Sequence, residues 1–80
     1  MKLPRNLSAN ELINLLKKYN YEVTRQAGSH IRLSTKTNGQ HHITIPNHSP
    51  LKVGTLASLL KDISNHLGIS KEDLNNTLFD

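Results

Sequence analysis

Two alternating runs of apolar and polar residues flank an Asn-Gly pair, and this arrangement restricts the fold more than any other feature of the chain. Asn38 and Gly39 readily take the positive φ angles of a tight hairpin turn. The runs 30–34 and 41–45 repeat with a period of two, the period of a β-strand. Pro46 ends the second run because it cannot donate a ladder hydrogen bond. The pattern therefore predicts an antiparallel hairpin.

A further strand is predicted over residues 21–26, which alternate in the same way before a turn at 27–30. Arg25 falls on the same side of this strand as the apolar residues. The face predicted to be covered carries Tyr21, Val23, Ile31, Leu33, Ile43 and Ile45. The face predicted to be open carries Glu22, Thr24, Gln26, His30, Arg32, Ser34, His42 and Thr44.

Helices are predicted on both sides of the strands. Ser8 and Glu11 form a capping box, and the helix that they begin is expected to end near Asn20. A second helix is expected to be capped by Thr55, and a short third helix to begin at Ser70. One side of the second helix carries Leu56, Leu59, Leu60, Ile63 and Leu67. The prediction is an α+β fold, α-β-β-β-α-α, with a three-stranded antiparallel sheet and helices on one face.

The length and composition bound the class of protein. With 80 residues there is room for one core, so we expect a single domain over 1–80, with a mobile extension at 1–7. The absence of cysteine excludes a disulfide frame and a thiol nucleophile. The N-terminus lacks the apolar region of a signal peptide, and no apolar run approaches the roughly 20 residues of a membrane span. We therefore expect a cytoplasmic protein without a membrane partner.

Charge is distributed unevenly along the chain, whose net charge is +4. Residues 12–61 hold seven lysines and arginines and one acidic residue, whereas residues 62–80 hold one lysine and four acidic residues. A basic body favours a polyanionic partner, either nucleic acid or an acidic protein. A solvated basic surface without a partner is the alternative.

Five histidines are present, and four of them lie between positions 30 and 48. A metal site is not expected, because this stretch contains no cysteine, aspartate or glutamate. His41 and His42 are neighbours on a strand, so their side chains point to opposite faces. The remaining interpretations are ordinary surface residues and acid–base catalysis, for which histidine has a suitable pKa.

His30 is the best catalytic candidate of the five. It follows a Gly-Ser turn, in which Gly28 lets the backbone bend and a bulky ligand approach. Arg32 lies two residues further on the same face, where a guanidinium could bind a phosphodiester. A second candidate site is the helix start at Gly54 and Thr55, whose free N–H groups suit an anion.

Four segments in order carry a resemblance to a known family: "GSH" at 28–30, "IPNH" at 45–48, "VGTLASLLKD" at 53–62 and "GISKEDL" at 68–74. Over roughly positions 8–74 the chain resembles the HicA-type mRNA interferase toxins of bacterial toxin–antitoxin pairs. The resemblance implies a double-stranded-RNA-binding-like fold and a ribonuclease that depends on one histidine, here His30. It also implies a HicB-type antitoxin that covers the active surface.

The function that we expect follows mainly from what this resemblance implies. We expect a metal-independent and cofactor-free endoribonuclease that cleaves mRNA, is monomeric when free and forms a hetero-oligomer with its antitoxin. The residues expected to bind RNA are Gly28, Ser29, Arg32, Lys36, His48, Lys52, Gly54 and Thr55. Two alternatives remain open: a non-catalytic double-stranded-RNA-binding module of the same fold, and a purely protein-binding domain.

Overall fold

The computed structural model describes residues 3–80, and its elements follow the predicted order. They are α1 (Ala9–Leu16), β1 (Glu22–Ala27), β2 (His30–Thr35), β3 (His41–Pro46), α2 (Val53–Leu67) and α3 (Lys71–Phe79). A short 3₁₀ turn over Lys17–Tyr19 extends α1. The α+β layout α-β-β-β-α-α is therefore confirmed.

Local sequence signals account for most of the helix ends. The hydroxyl of Ser8 accepts a hydrogen bond from the Glu11 N–H at 3.1 Å, and the Glu11 carboxylate accepts one from the Ser8 N–H at 3.0 Å. Asn20 ends the first helical segment with φ at 65°, and Ser70 caps α3 through the N–H of Asp73 at 3.0 Å. Each of these ends is where the sequence predicts it.

The start of α2 differs from the prediction. Its N-cap is Lys52, whose side chain makes no capping hydrogen bond, and Thr55 lies inside the first turn. The chain is held at this point by Leu51, which is buried and whose N–H donates to the Leu7 carbonyl at 2.7 Å. The expected cap at Thr55 was wrong because a tertiary anchor, rather than a local side chain, sets the entry to the helix.

The three strands form an antiparallel sheet in the order β1-β2-β3, with β2 in the centre. Asn38 and Gly39 take φ angles of 57° and 95°, so the predicted hairpin turn is confirmed. Four side chains from β2 and β3 face the helices and are at most 4% exposed: Ile31, Leu33, Ile43 and Ile45. Helical residues complete this core, among them Leu12, Leu16, Leu56, Leu60, Ile63, Leu74 and Leu78.

Strand β1 departs from the predicted alternation. Val23 pairs with Leu33 but is 49% exposed, because every residue of this edge strand lies outside the cover of the helices. A β-bulge follows, so that Arg25 rather than Thr24 lies opposite Arg32. The burial expected for Val23 was therefore wrong.

The bulge also exchanges two predicted faces. Arg25 shares the open face with Arg32, whereas Gln26 pairs with Ile31 on the side of the helices. The simple alternation had placed each on the opposite face. A bulge adds one residue to one strand, and it therefore inverts the alternation beyond it.

The apolar side of α2 is narrower than the sequence suggests. Leu56, Leu60 and Ile63 are buried, whereas Leu59 and Leu67 are only partly buried at its border. The described part of the expected N-terminal extension packs on the core through Leu3 and Leu7; residues 1–2 lie outside the described residues. None of the described helices is long and apolar enough to cross a membrane.

Candidate functional site

His30 is the first residue of the central strand, and its side chain is exposed on the open face of the sheet. Its backbone lies between two partners, Ala27 on β1 and Pro46 on β3. A residue held by ladders on both sides has a well-defined backbone position. The structure thus combines a fixed mount with a solvent-accessible imidazole, which is what proton transfer to a bound ligand needs.

The turn before His30 is shaped for close approach. Gly28 has φ at 58°, and a Cβ atom built there would meet no heavy atom within 4 Å, so open space adjoins this turn. The carbonyl of Ser29 accepts a hydrogen bond from the Asn47 N–H at 2.6 Å. This bond brings the β1–β2 turn next to the loop between β3 and α2.

That loop and the start of α2 contain the second predicted group. His48 is exposed, and its carbonyl accepts a hydrogen bond from the Ala9 N–H at 3.1 Å. Lys52 and Gly54 are exposed, and Thr55 is half-buried. The first α-helical bond runs from the Leu56 N–H to the Lys52 carbonyl, so the N–H groups of residues 53–55 have no intrahelical acceptor. They remain suited to an anion.

A broad, shallow depression of about 830 Å³ occupies the open sheet face beyond His30. It is lined by Asn20, Glu22, Thr24, Arg25, Arg32, Ser34, Thr35, Lys36, Thr37, Gln40 and His42. Two of the predicted RNA-binding residues, Arg32 and Lys36, are therefore brought together here. His30 is outside this lining, at the start of β2, whose later residues line the depression. The residues around the start of α2, which we call the α2 group (His48, Lys52, Gly54 and Thr55), are also outside it.

The depression is basic. Arg25, Arg32 and Lys36 are exposed there together with one acidic residue, Glu22. Within residues 3–80 the one ion pair is between other residues, so none of these three cations has a carboxylate within 4.0 Å. Uncompensated positive charge in a concave surface attracts anionic ligands.

Polar side chains link the three strands across the same face. The hydroxyl of Ser34 hydrogen-bonds to Nδ1 of His42 and lies 3.3 Å from the Thr24 hydroxyl. The alternation in β2 and β3 had placed Ser34 and His42 on this open face. Arg25, by contrast, was not predicted as a site residue. The alternation in the sequence does not indicate the bulge that turns Arg25 to this face.

His41, the first residue of β3, has its side chain on the helix side of the sheet. Nδ1 of His41 lies 2.7 Å from the Tyr21 hydroxyl, and its Nε2 lies 3.1 Å from an Asp62 carboxylate oxygen. Burial, with a smaller effect of Asp62, raises the pKa of Tyr21 to about 12. Among the described residues, no group of three or more histidine, cysteine, aspartate or glutamate side chains is placed to hold a metal ion.

Fold and site together define a small α+β protein that covers one face of its sheet with helices and leaves the other, basic face exposed. The family model for the HicA toxin of bacterial toxin–antitoxin systems matches residues 9–64, and the chain belongs to this family. The matched region runs from α1 through all three strands into α2. Searches of curated proteins and of solved structures gave no match.

Membership of the family confirms the resemblance that the four sequence segments indicated. The protein is the toxin of a toxin–antitoxin system, and it pairs with an antitoxin.

Proposed function

We propose that this toxin is an endoribonuclease that cleaves mRNA in the cytoplasm, with His30 as its catalytic residue. One observation supports the proposal above the others: the imidazole of His30 is exposed at the fixed start of the central strand, beside a basic surface. Such a surface attracts the RNA backbone, and a positioned histidine can move the proton that cleavage requires. The whole chain, residues 1–80, acts as one toxin domain.

The reaction uses the substrate's own 2′-hydroxyl as nucleophile. His30 removes the proton from this hydroxyl as its oxygen bonds to the adjacent phosphorus, and the bond from phosphorus to the 5′-oxygen breaks. The departing 5′-oxygen takes a proton from the imidazolium or from water. The products are a 2′,3′-cyclic phosphate and a 5′-hydroxyl, and no metal or cofactor takes part.

Arg32 stabilises the negative charge that develops on the phosphate during attack. Arg32 is two residues after His30 on the same face, so their Cα atoms are about 7 Å apart along the strand. Both side chains are long enough to reach a phosphate between them. Proton transfer by a positioned histidine contributes roughly 10²–10⁴-fold in rate. A single-histidine ribonuclease is therefore slow, and it depends on electrostatic help from neighbouring cations.

Backbone and side-chain groups around the site hold the remaining RNA. Gly28 and Ser29 leave room beside the imidazole, and Lys36 extends the basic surface at the hairpin. In the α2 group, the backbone N–H groups of Gly54 and Thr55 donate to the RNA and Lys52 contributes positive charge. His48 lies beside them and also contacts the RNA. A HicB-type antitoxin inhibits the toxin by covering the open sheet face, converting a free monomer into an inactive hetero-oligomer.

Incubation of the purified protein with a short labelled RNA tests the chemistry. We expect cleavage in the presence of EDTA, products that end in a 2′,3′-cyclic phosphate or a 3′-phosphate, and no cut at a 2′-deoxy position. His30→Ala should abolish cleavage and keep RNA binding. Lys61→Gln, on α2 and outside the depression, is the matched surface control and should cleave normally.

Different failures have different meanings. Binding without cleavage by the parent protein would support a non-catalytic RNA-binding module. Cutting at the deoxy position, or strict dependence on a metal, would contradict the proposed mechanism even with His30 essential. Unchanged cleavage by His30→Ala would remove His30 from the site.

A further inference from the structure

Arg25 reaches the open sheet face only because β1 contains a bulge. Val23 pairs with Leu33, and a regular ladder would next pair Thr24 with Arg32 and turn Arg25 towards the helices. The extra residue instead places Arg25 opposite Arg32. Bulges often re-aim a side chain beside a functional site, and here the side chain that is re-aimed is an arginine.

Two arginines directly across a strand pair are unfavourable by themselves. Like charges at opposed positions of an antiparallel pair repel each other. No carboxylate within residues 3–80 lies within 4.0 Å of either Arg25 or Arg32 to offset this repulsion. An anionic ligand between the two guanidinium groups would turn the repulsion into a shared, charge-assisted contact.

We infer that Arg25 is a second guanidinium that binds the phosphate on which His30 acts, opposite Arg32. This inference rests on the proposed ribonuclease function and adds a residue that the family resemblance did not indicate. Both arginines are exposed and line the depression. Arg32 lies on β2, two residues after His30. The RNA backbone then crosses the start of β2 with its phosphate held from β1 and from β2.

RNA is favoured over an acidic protein segment as the ligand because of geometry. The two charged oxygens of a phosphodiester project in different directions from a tetrahedral phosphorus and can accept from guanidinium groups on two strands, whereas the two oxygens of a carboxylate lie in one plane and suit a single bidentate guanidinium. The hydroxyl row beside the arginines, Thr24 and Ser34, adds neutral polar groups that suit a sugar–phosphate chain.

Binding of an uncleavable RNA measures the contribution of Arg25 separately from catalysis. The probe is a fluorescein-labelled oligoribonucleotide with one 2′-deoxy residue at the cut site, titrated with the full-length protein at several salt concentrations. Arg25→Gln should weaken binding about tenfold. It should also reduce the slope of log affinity against log salt, by less than the value of about 0.7 for the loss of a whole phosphate contact on a single strand, because Arg32 still binds the same phosphate. Lys61→Gln, which removes one positive charge elsewhere, should leave the affinity and the slope unchanged.

A neutral methylphosphonate, placed at each phosphate in turn, identifies the phosphate that Arg25 contacts. At the cut site it should weaken binding by the parent protein and should remove the penalty of Arg25→Gln. The penalties of Arg25→Gln and Arg32→Gln should also be less than additive, since both residues bind one group. The melting temperature of each variant should be no lower than that of the parent, because the replaced side chains are exposed and each replacement removes a like charge from the opposed pair.

Several results would overturn the inference. These are an unchanged affinity for Arg25→Gln, full additivity with Arg32→Gln, and coupling to a phosphate away from the cut site. Weaker binding of the antitoxin by Arg25→Gln, with RNA binding unchanged, would overturn it in favour of a protein ligand. If the parent protein binds RNA without cutting it, the proposed enzyme fails, and with it the assignment of Arg25 to a scissile phosphate. The methylphosphonate series would still show whether Arg25 and Arg32 bind the same phosphate.

Discussion

The hydroxyl of Tyr21, the residue before β1, lies 2.7 Å from Nδ1 of His41, the first residue of β3. The geometry is satisfied when the tyrosine donates to Nδ1 and the opposite ring nitrogen donates to Asp62, 3.1 Å away. The His41 ring also stacks on that of His66, with centroids 4.3 Å apart. Two histidines that the sequence left without a role are therefore structural.

This relationship predicts how the fold responds to alkaline pH. Burial, with a smaller effect of Asp62, raises the pKa of Tyr21 to about 12 from its ordinary value of 10.0. The folded state keeps the phenol proton more tightly than the unfolded state does. The resulting stability is fully present below pH 10 and is lost as the pH rises from about 10 to about 12.

Absorbance at the tyrosinate band tests this prediction directly. The chain has two tyrosines, and we expect a transition near pH 12 from Tyr21. Tyr21→Phe should remove this transition and flatten the loss of stability between pH 10 and 12, as followed by urea denaturation. A transition near pH 12 that persists in Tyr21→Phe would contradict the network.

Two leucines three residues apart on α2 provide a test of how the helix packs. Leu56 is fully buried, whereas Leu59 is partly buried at the border of the core. Leu56→Ala should lower the free energy of unfolding by about 2–5 kcal/mol, a large part of the stability of so small a protein. Leu59→Ala should cost clearly less. Equal losses in chemical denaturation would show that α2 is rotated from the orientation described.

Replacement of His30 should separate function from folding. The side chain is exposed and leaves no core cavity, so His30→Ala should change stability by no more than about 0.5 kcal/mol. Growth inhibition on induced expression should nevertheless disappear at equal protein abundance. Full toxicity of the variant, or a protein that no longer folds, would count against the assignment.

The antitoxin is expected to recognise the open face by charge. Because Arg25, Arg32 and Lys36 are exposed and no carboxylate among residues 3–80 lies within 4.0 Å of them, an acidic antitoxin surface should associate faster at low salt and more slowly as salt rises. Stopped-flow measurements over a range of ionic strengths give the dependence. Lys36→Gln should reduce it, whereas Lys61→Gln, on α2, should not. An association rate that ignores ionic strength would contradict an electrostatic docking face.

Local signals in the sequence were sufficient for the elements and for part of the site. The capping box at Ser8, the turn at Asn38 and Gly39 and the period-two runs each depend on residues within a few positions of one another, so they can be interpreted without a tertiary structure. The same alternation assigned His30 and Arg32 to one face, where the structure has them. The resemblance in four short segments indicated the family.

Only the tertiary structure decided the remainder. The bulge that turns Arg25 to the open face depends on how β1 meets β2, and the exposure of Val23 depends on how far the helices extend over an edge strand. The first turn of α2 begins where Leu51 is buried, not where a capping residue stands. Contacts between residues distant in sequence compete with local preference at each of these positions, and their outcome depends on the packing of the whole chain.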